Sequence, residues 1–355
     1  MKKVILFIAA SAVIAACSKN ELVPAGDAGS AEITYLTAPK TKADPSKDNF
    51  DKSNVFASWA YYLPSDKSWS ENRLEAQEYI VNSLISYQTE TGSWKDTSSI
   101  HYWPKSGKLT FFAYSLNKGD LNLKHNVSQS HFACYNSEDS CGINGQIDLD
   151  ENPNTDFLVA QIAMDKSGNA TTYYTNGVPT LFRHRLTRIA FTVKKSADYA
   201  NKKFTLNAIK FHNLSHAMNY EQFHKTDDGN LAEYGYESGS RTTQVYTETA
   251  LPVESLKSTP VPGENEVRYI YIPQTFKGKN ETATIEISYT VTTTVNGKEV
   301  DDVCKETINV KNYFEKWEMG KRYIINLTFG LEEILWDPAV EDWTDESSQD
   351  IMIGA

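Results

Sequence analysis

The feature that most constrains the fold is a long alternating segment that runs into a tight turn. ATIEISYTVTTTV, Ala283–Val295, places mostly apolar side chains at odd positions and polar ones at even positions. Asn296 and Gly297 follow it, and this dipeptide is the strongest short-range signal for a two-residue β-hairpin. Counting back from such a turn places Tyr289 opposite Cys304. The chain is therefore predicted to contain an antiparallel sheet with a long hairpin.

The same count orients the returning strand of this hairpin. Cys304 points to the core beside Tyr289, which favours a buried free thiol over a disulfide partner. Asp302 and Glu306 also face inward on this count. Because carboxylates are rarely buried, their position predicts a bulge that shifts the register.

Shorter alternating segments recur along the chain. Strands are predicted at Ala31–Leu36, Val55–Tyr62, Leu109–Tyr114, Ile189–Val193, Phe204–Phe211, Val267–Ile272 and Tyr323–Phe329. The inward phase changes between Leu206 and Ile209, which predicts a β-bulge. Glu78–Gln88 fits a helix face by spacing and a strand by composition, so its structure stays open. Short strands with little convincing helix indicate an all-β chain of antiparallel β-sandwiches, two in number, joined near Gly177–Phe182.

Charge and motifs exclude several functions. A formal net charge of −11 argues against nucleic-acid binding, which calls for basic patches. The sequence contains no nucleophile elbow, phosphate-binding loop or zinc-protease helix motif, so we predict no enzyme activity, no cofactor and no metal site. Four tryptophans could form a carbohydrate platform, but core packing is favoured because they are scattered: Trp59, Trp69, Trp94 and Trp103.

The N-terminus is typical of an exported protein. A basic start, Met1–Lys3, precedes an apolar run, Val4–Ala16, which is too short to span a membrane as a helix. Ile14–Cys17 resembles the lipobox of bacterial lipoproteins. The resemblance implies cleavage before Cys17 and acylation of that cysteine. Residues 1–16 are then a signal peptide, and residues 17–30 a flexible tether.

Two further cysteines lie close together in a polar stretch. Cys134 and Cys141 flank YNSEDS. Exported chains permit disulfides, so we predict that these two close a small loop. Two ligands alone make a poor zinc site.

Several segments together resemble one family. They are TKA at 41–43, HYWPKSGKLTFFAYS at 101–115, LFRHRLTRIAFTVK at 181–194, YIPQT at 271–275, WEMGKRYIINLTF at 317–329 and WDPAVEDW at 336–343. In this order they resemble the fimbrillin family of Bacteroidetes, which comprises the type V pilins and their Mfa-like relatives. The resemblance implies two transthyretin-like antiparallel β-sandwich domains, here 31–180 and 181–343. It also implies export as a lipoprotein to the outer membrane, and polymerisation of shaft subunits by strand exchange.

In that family a trypsin-like protease removes the first strand. The corresponding strand here is Ala31–Leu36, and Lys40 and Lys42 after it are the candidate cleavage sites, although the best-studied relatives are cut after arginine. A sandwich that has lost a strand exposes an edge that can pair with a strand from another chain.

Two functions follow from these observations. The first is a structural or adhesive subunit of surface fimbriae, whose partners are other subunits of the same or a related kind. The alternative is a non-polymerising outer-membrane lipoprotein that binds glycan or host protein. In a polymer, the tail from Trp336 onward, with residues 344–355 as its end, is expected to be the donor strand. The other interpretation of Trp336–Trp343 is that it completes the chain's own second sandwich.

Overall fold

The computed structural model describes residues 31–37, 50–96, 98–118, 132–149, 155–168, 177–246, 250–261, 270–330 and 334–342. The predicted lipid site Cys17, the predicted cleavage sites Lys40 and Lys42, and residues 343–355 lie outside these ranges. No helix within the described ranges is long and apolar enough to cross a membrane.

The described chain is almost entirely β-strand. In chain order the first strands are β1 (Tyr35–Leu36), β2 (Val55–Leu63), β3 (Gln77–Gln88), β4 (Ser93–Asp96), β5 (Lys108–Lys118), β6 (Phe132–Asn136), β7 (Ser140–Asp148), β8 (Thr155–Ala160), β9 (Ala163–Lys166), β10 (Val178–Pro179) and β11 (Phe182–His184). The remaining strands are β12 (Thr187–Lys195), β13 (Lys202–Lys225), β14 (Leu231–Tyr246), β15 (Leu251–Val253), β16 (Thr259–Pro260), β17 (Ile270–Tyr271), β18 (Gln274–Thr275), β19 (Thr284–Val295), β20 (Lys298–Asn309), β21 (Lys316–Trp317), β22 (Lys321–Phe329) and β23 (Ile334–Asp342). The helical elements within the described ranges are α1 (Trp69–Asn72) and two 3₁₀ turns, Arg73–Glu75 and Val310–Asn312.

The strands form three large sheets and one small one. The first sheet runs β10-β1-β4-β3-β2-β5-β8-β11, with β9 beside β5. The second runs β20-β19-β13-β7-β6, with β14 and β15 beside β13, and the third runs β16-β12-β22-β23, with β17 beside β12. β18 and β21 pair separately. The predicted all-β class is confirmed.

Two of the described pairings, β1 with β10 and β12 with β22, are parallel. The prediction of antiparallel sandwiches did not include them. Parallel neighbours need a long crossover connection, and five strands of the second sheet, β13, β14, β15, β19 and β20, lie in the chain between β12 and β22. A pattern confined to local sequence does not show such a pairing.

The long strand β13 belongs to both halves of the chain. Its first part pairs with β19, and its last part, Ala217–His224, pairs with β7. The second sheet therefore combines strands from both predicted domains. The predicted bulge in β13 is confirmed as a register shift between Leu206 and Ala208.

Among the residues that the structure describes, buried apolar side chains form three clusters. One lies between the second and third sheets, and a second lies between the first and second sheets. The third covers the opposite face of the first sheet and contains Tyr35, Phe56, Trp94, Trp103 and Phe111. The four tryptophans singled out in the sequence are all buried, which confirms core packing over a surface platform.

The long hairpin β19–β20 forms as predicted, without the expected bulge. Asn296 and Gly297 have φ angles of 51° and 77°, as a type I′ turn requires. Tyr289 faces Cys304, and no register shift interrupts the pairing. The predicted bulge is wrong because Glu306 accepts hydrogen bonds from the Tyr289 hydroxyl and the Ile334 backbone N–H, both at 3.2 Å.

The other inward-facing groups of this hairpin are less buried than expected. Asp302 is exposed, because β20 is the outermost strand of its sheet. Cys304 is a free thiol that packs half-buried against the apolar cluster, so the burial predicted for it is only partial.

Two segments that the sequence left open are strands. Glu78–Gln88 lies within β3, where Asn82 has a φ of 51° and the register against β2 shifts. This irregularity explains why its alternation is broken. Ile334–Asp342 forms β23 and pairs with β22. The expectation that the donor strand begins at Trp336 is therefore wrong for the residues up to Asp342, which complete the chain's own sheet.

Candidate functional site

Residues 31–37, which include β1, are held in a channel that we call the first-strand slot. On one side the backbone N–H of Val178 donates to the Thr34 carbonyl at 2.7 Å. The backbone N–H of Thr180 donates to the Leu36 carbonyl at 2.8 Å. β10 is thus the parallel neighbour of the resident strand.

The opposite side of the first-strand slot is formed by β4 and the segment after it. The backbone N–H of Ile33 donates to the His101 carbonyl at 2.8 Å, and that of Trp103 donates to the Ala31 carbonyl at 3.0 Å. Main-chain bonds of this kind hold an extended segment whatever its side chains, whereas pockets for alternate side chains supply specificity. The slot has both.

The inner face of the slot buries every second side chain. Ile33, Tyr35 and Thr37 are 3%, 4% and 7% exposed. The Tyr35 ring meets Phe56 and Phe111 edge-on, with centroid distances of 5.4 and 6.0 Å. Burial raises the pKa of the Tyr35 hydroxyl well above its usual value. Ile33 and Tyr35 are part of the third apolar cluster.

An ion pair lies at the outer rim of the slot. The Lys95 ammonium of β4 lies 3.1 Å from the Glu32 carboxylate, and both side chains are less than one-third exposed. Because β4 lies beside the resident strand, the Lys95 ammonium contacts the side chain at position 32 of that strand.

The wall around His101 is fixed by polar contacts. Nε2 of His101 lies 2.9 Å from the Ser83 hydroxyl and 3.5 Å from the Asp96 carboxylate. Burial raises the pKa of Asp96, but hydrogen bonds from Ser98, Ser83 and Ser99 outweigh it, and the pKa lies below its usual value. A hydrolytic triad needs the serine and the carboxylate on different ring nitrogens. Here both contact one nitrogen, so the cluster positions the loop.

The predicted cleavage sites follow the slot directly in the chain. Thr37 is buried at the end of the resident segment, and the described chain resumes at Phe50, which stacks on Phe182 at 4.5 Å. Lys40 and Lys42 lie on the connection between them. A cut there would separate residues 31–37 covalently from the remainder of the fold.

The predicted disulfide partners lie on the hairpin β6–β7 as free thiols. Cys134 faces Ile143, and Cys141 faces Asn136, so the two cysteines are diagonal neighbours. Diagonal residues are about 7–8 Å apart, whereas a disulfide requires Cβ atoms about 4 Å apart. Burial raises the pKa of both thiols. A disulfide therefore requires a change of register, and the pairing stays a prediction.

A separate cleft lies beside the small sheet of β18 and β21. It has a volume of about 510 Å³, and its walls include Gln274, Trp317 and Met319 from two of the motifs noted in the sequence. Lys316 and Glu318 at its edge lie 2.7 Å apart, and Glu233 is paired with Arg185. Its charges are largely balanced within these pairs.

Sequence reasoning found part of the slot. The resident strand was predicted, and His101 and Trp103 lie in a motif that we noted. Lys95 and Val178 were missed, because nothing local in their segments shows that they lie on either side of residues 31–37.

Comparisons with known proteins agree with this architecture. A family model described as fimbrillin-like matches residues 41–343. A fimbrial protein from Bacteroides vulgatus superposes with a TM-score of 0.62 at 16% identity, covering 88% of this chain and 100% of that chain. This likeness supports the fold.

Two further solved structures are more distant. A proposed cell adhesion protein from Bacteroides uniformis has a TM-score of 0.46 at 16% identity, with coverage of 89% and 98%. The tip fimbrial protein Mfa3 from Porphyromonas gingivalis has a TM-score of 0.36 at 9% identity, with coverage of 82% and 95%. The comparison with curated proteins found no match.

Proposed function

Because this chain belongs to the fimbrillin-like family, we propose that it is a structural or adhesive subunit of surface fimbriae, assembled by strand exchange after proteolysis. The observation that carries the proposal is the first-strand slot. Its resident segment is short and bonded on both sides by main-chain groups, and cleavable lysines follow it directly.

Cleavage would change what holds the slot strand in place. While the chain is intact, residues 31–37 return to the slot after every local opening, because they are tethered to it. After a cut at Lys40 or Lys42 the segment can diffuse away. Its departure would leave the N–H groups of Val178 and Thr180 and the His101 carbonyl without partners, beside a large apolar pocket. Such an edge pairs readily with another strand.

We propose that the protein reaches the cell surface as a lipoprotein. The basis is the N-terminal sequence alone, with Cys17 as the acylated first residue of the mature chain and residues 17–30 as the tether. More than one acyl chain is needed for firm anchoring, and a lipoprotein cysteine provides this. The anchor and the slot strand lie on the same side of the cleavage sites. One cut would therefore release the subunit from the outer membrane and open its slot.

The donor strand in this scheme is residues 344–355. Residues up to Asp342 already pair within β23. The last twelve residues could extend about 40 Å, which is enough to lie along a sandwich. They include the apolar run Ile351–Ile353.

An architectural role fits the polar clusters that the structure describes. Ser83, His101 and Asp96 brace a loop instead of forming a proton relay. His184 is hydrogen-bonded to Asp156 at 2.8 Å in a buried pair that joins two strands. We propose that the protein is not an enzyme.

Polymer formation tests the proposal. The full-length chain is incubated with limiting trypsin and examined for ladders on gels run in mild detergent. We expect ladders from the wild type, and only monomer from a variant that lacks Thr344–Ala355. A full-length variant with Ile351→Asp and Ile353→Asp controls for tail length and should also stay monomeric. Persistence of wild-type ladders in both variants would exclude the tail as donor.

The cleft beside β18 and β21 favours one second candidate, binding of a glycan or host protein. It presents a hydroxyl at Thr275 and a thioether at Met319 around a cavity of about 510 Å³. If the wild type forms no ladder after proteolysis at Lys40 or Lys42, this non-polymerising function takes the place of the first. A glycan array with the full-length chain then tests it.

A further inference from the structure

We propose that the first-strand slot selects its incoming strand by pattern, and that residues 350–355 of a second copy of this chain fit it in one register. The inference rests on the strand exchange proposed above, and it adds the partner sequence and the selecting residues.

The resident segment defines four requirements. The inner face takes an aliphatic side chain at position 33, a large apolar one at 35 and a small one at 37. The outer rim takes an acid at position 32, where Lys95 lies 3.1 Å from the carboxylate of Glu32. Glu-Ile-Thr-Tyr-Leu-Thr, residues 32–37, meets all four.

Residues 350–355, Asp-Ile-Met-Ile-Gly-Ala, repeat this pattern of acid, aliphatic, variable, apolar, variable, small. In the same direction as the resident strand, the equivalent residues are Asp350 for Glu32, Ile351 for Ile33, Ile353 for Tyr35 and Ala355 for Thr37. Met352 and Gly354 then take the outward positions.

Neighbouring registers fit less well. A shift by one residue turns the isoleucines to the outer face. A shift by two in one direction places the Gln349 amide in the buried pocket of Ile33, where a polar group without a partner is costly. The opposite shift places Ala355 in the pocket of Tyr35, and leaves a cavity between aromatic rings.

Lys95 is the residue that distinguishes these registers by charge. Its side chain is only 23% exposed, so loss of the resident Glu32 would leave a partly buried ammonium without a carboxylate. Asp350 restores the pair in the proposed register alone. A basic residue at this position would be repelled, which is how an interface rejects a wrong partner.

A charge-reversal cycle tests the register. The full chain carries a site for a sequence-specific protease within residues 38–49, so that the test does not depend on trypsin. After cleavage, a fluorescent peptide of Thr344–Ala355 is added, and its anisotropy and the displaced N-terminal fragment are measured. We expect Asp350→Lys in the peptide and Lys95→Glu in the protein each to weaken binding about fivefold, and the two together to restore it. Asp345→Lys, which lies outside the slot in this register, is the matched control.

Substitutions in the peptide provide a second test of the register, in which the protein itself is unchanged. Ile351→Asp should abolish binding, and Ile353→Tyr should strengthen it, because a tyrosine refills the pocket between Phe56 and Phe111. If the wild-type peptide binds while the charge reversals do not compensate and Ile353→Tyr weakens binding, the register is overturned and strand exchange stands. If the cleaved, folded protein binds no tail peptide and the fragment stays in place, the proposed strand exchange itself fails.

Discussion

Tyr35 is the side chain that ties the first strand most firmly to the fold. It is 4% exposed and packs edge-on against two aromatic rings of β2 and β5. The neighbouring Leu36 is only half-buried and projects towards the rim. One residue therefore separates a side chain that anchors the slot strand from one that does not.

This difference predicts the effect of truncating each side chain. Tyr35→Ala should lower the free energy of unfolding by about 3 kcal/mol, because it leaves a cavity in a packed aromatic cluster. Leu36→Ala is the matched control and should cost less than about 1 kcal/mol. Urea unfolding followed by fluorescence measures both. Equal effects of the two substitutions would contradict an anchoring role for Tyr35.

At the scale of elements, sequence alone identified what is local. The hairpin β19–β20 was predicted down to the pair Tyr289–Cys304, because a two-residue turn fixes the register of everything after it. The sequence did not decide between helix and strand for β3, because the positive φ at Asn82 interrupts the two-residue alternation of apolar and polar side chains. The slot needed the structure, since its walls come from segments more than 50 residues from its strand.

Whether Cys134 and Cys141 can form a disulfide depends on the register of the hairpin β6–β7. Cys134 and Cys141 are diagonal neighbours, with Cys134 half-buried and Cys141 buried. The disulfide predicted from the sequence requires a linked peptide in mass spectrometry of the protein purified without reduction, whereas the register described predicts two alkylated thiols after denaturation. A linked peptide would confirm this disulfide, and would require one strand to slip by two residues along the other, from Cys134 opposite Ile143 to Cys134 opposite Cys141.

At the scale of the whole molecule, the two halves of the chain share structure. The division into residues 31–180 and 181–343 stays a prediction. The second sheet contains strands from both parts, because β13 pairs with β7 of the first part and with β19 of the second. The second apolar cluster joins Trp59 and Phe157 of the first half to Met218 and Tyr220 of the second. Arg185 adds a backbone hydrogen bond to the Phe157 carbonyl at 2.8 Å.

These shared elements predict that the described chain unfolds as one unit. Residues 31–180 expressed alone lack β13, whose last part pairs with β7, so β7 keeps an unpaired edge and the second cluster loses one wall. Residues 181–343 alone expose Met218 and Tyr220, which are fully buried in the intact chain. We therefore expect neither half to show a sharp thermal transition. The full chain should show a single transition whose calorimetric and van't Hoff enthalpies agree.

Two halves that each unfold cooperatively, at the temperatures of two transitions in the full chain, would show instead that the sandwiches are independent. Mixing the separate halves adds a control, since recovery of the single transition would show that the shared sheet, and not the peptide link, makes the molecule cooperative.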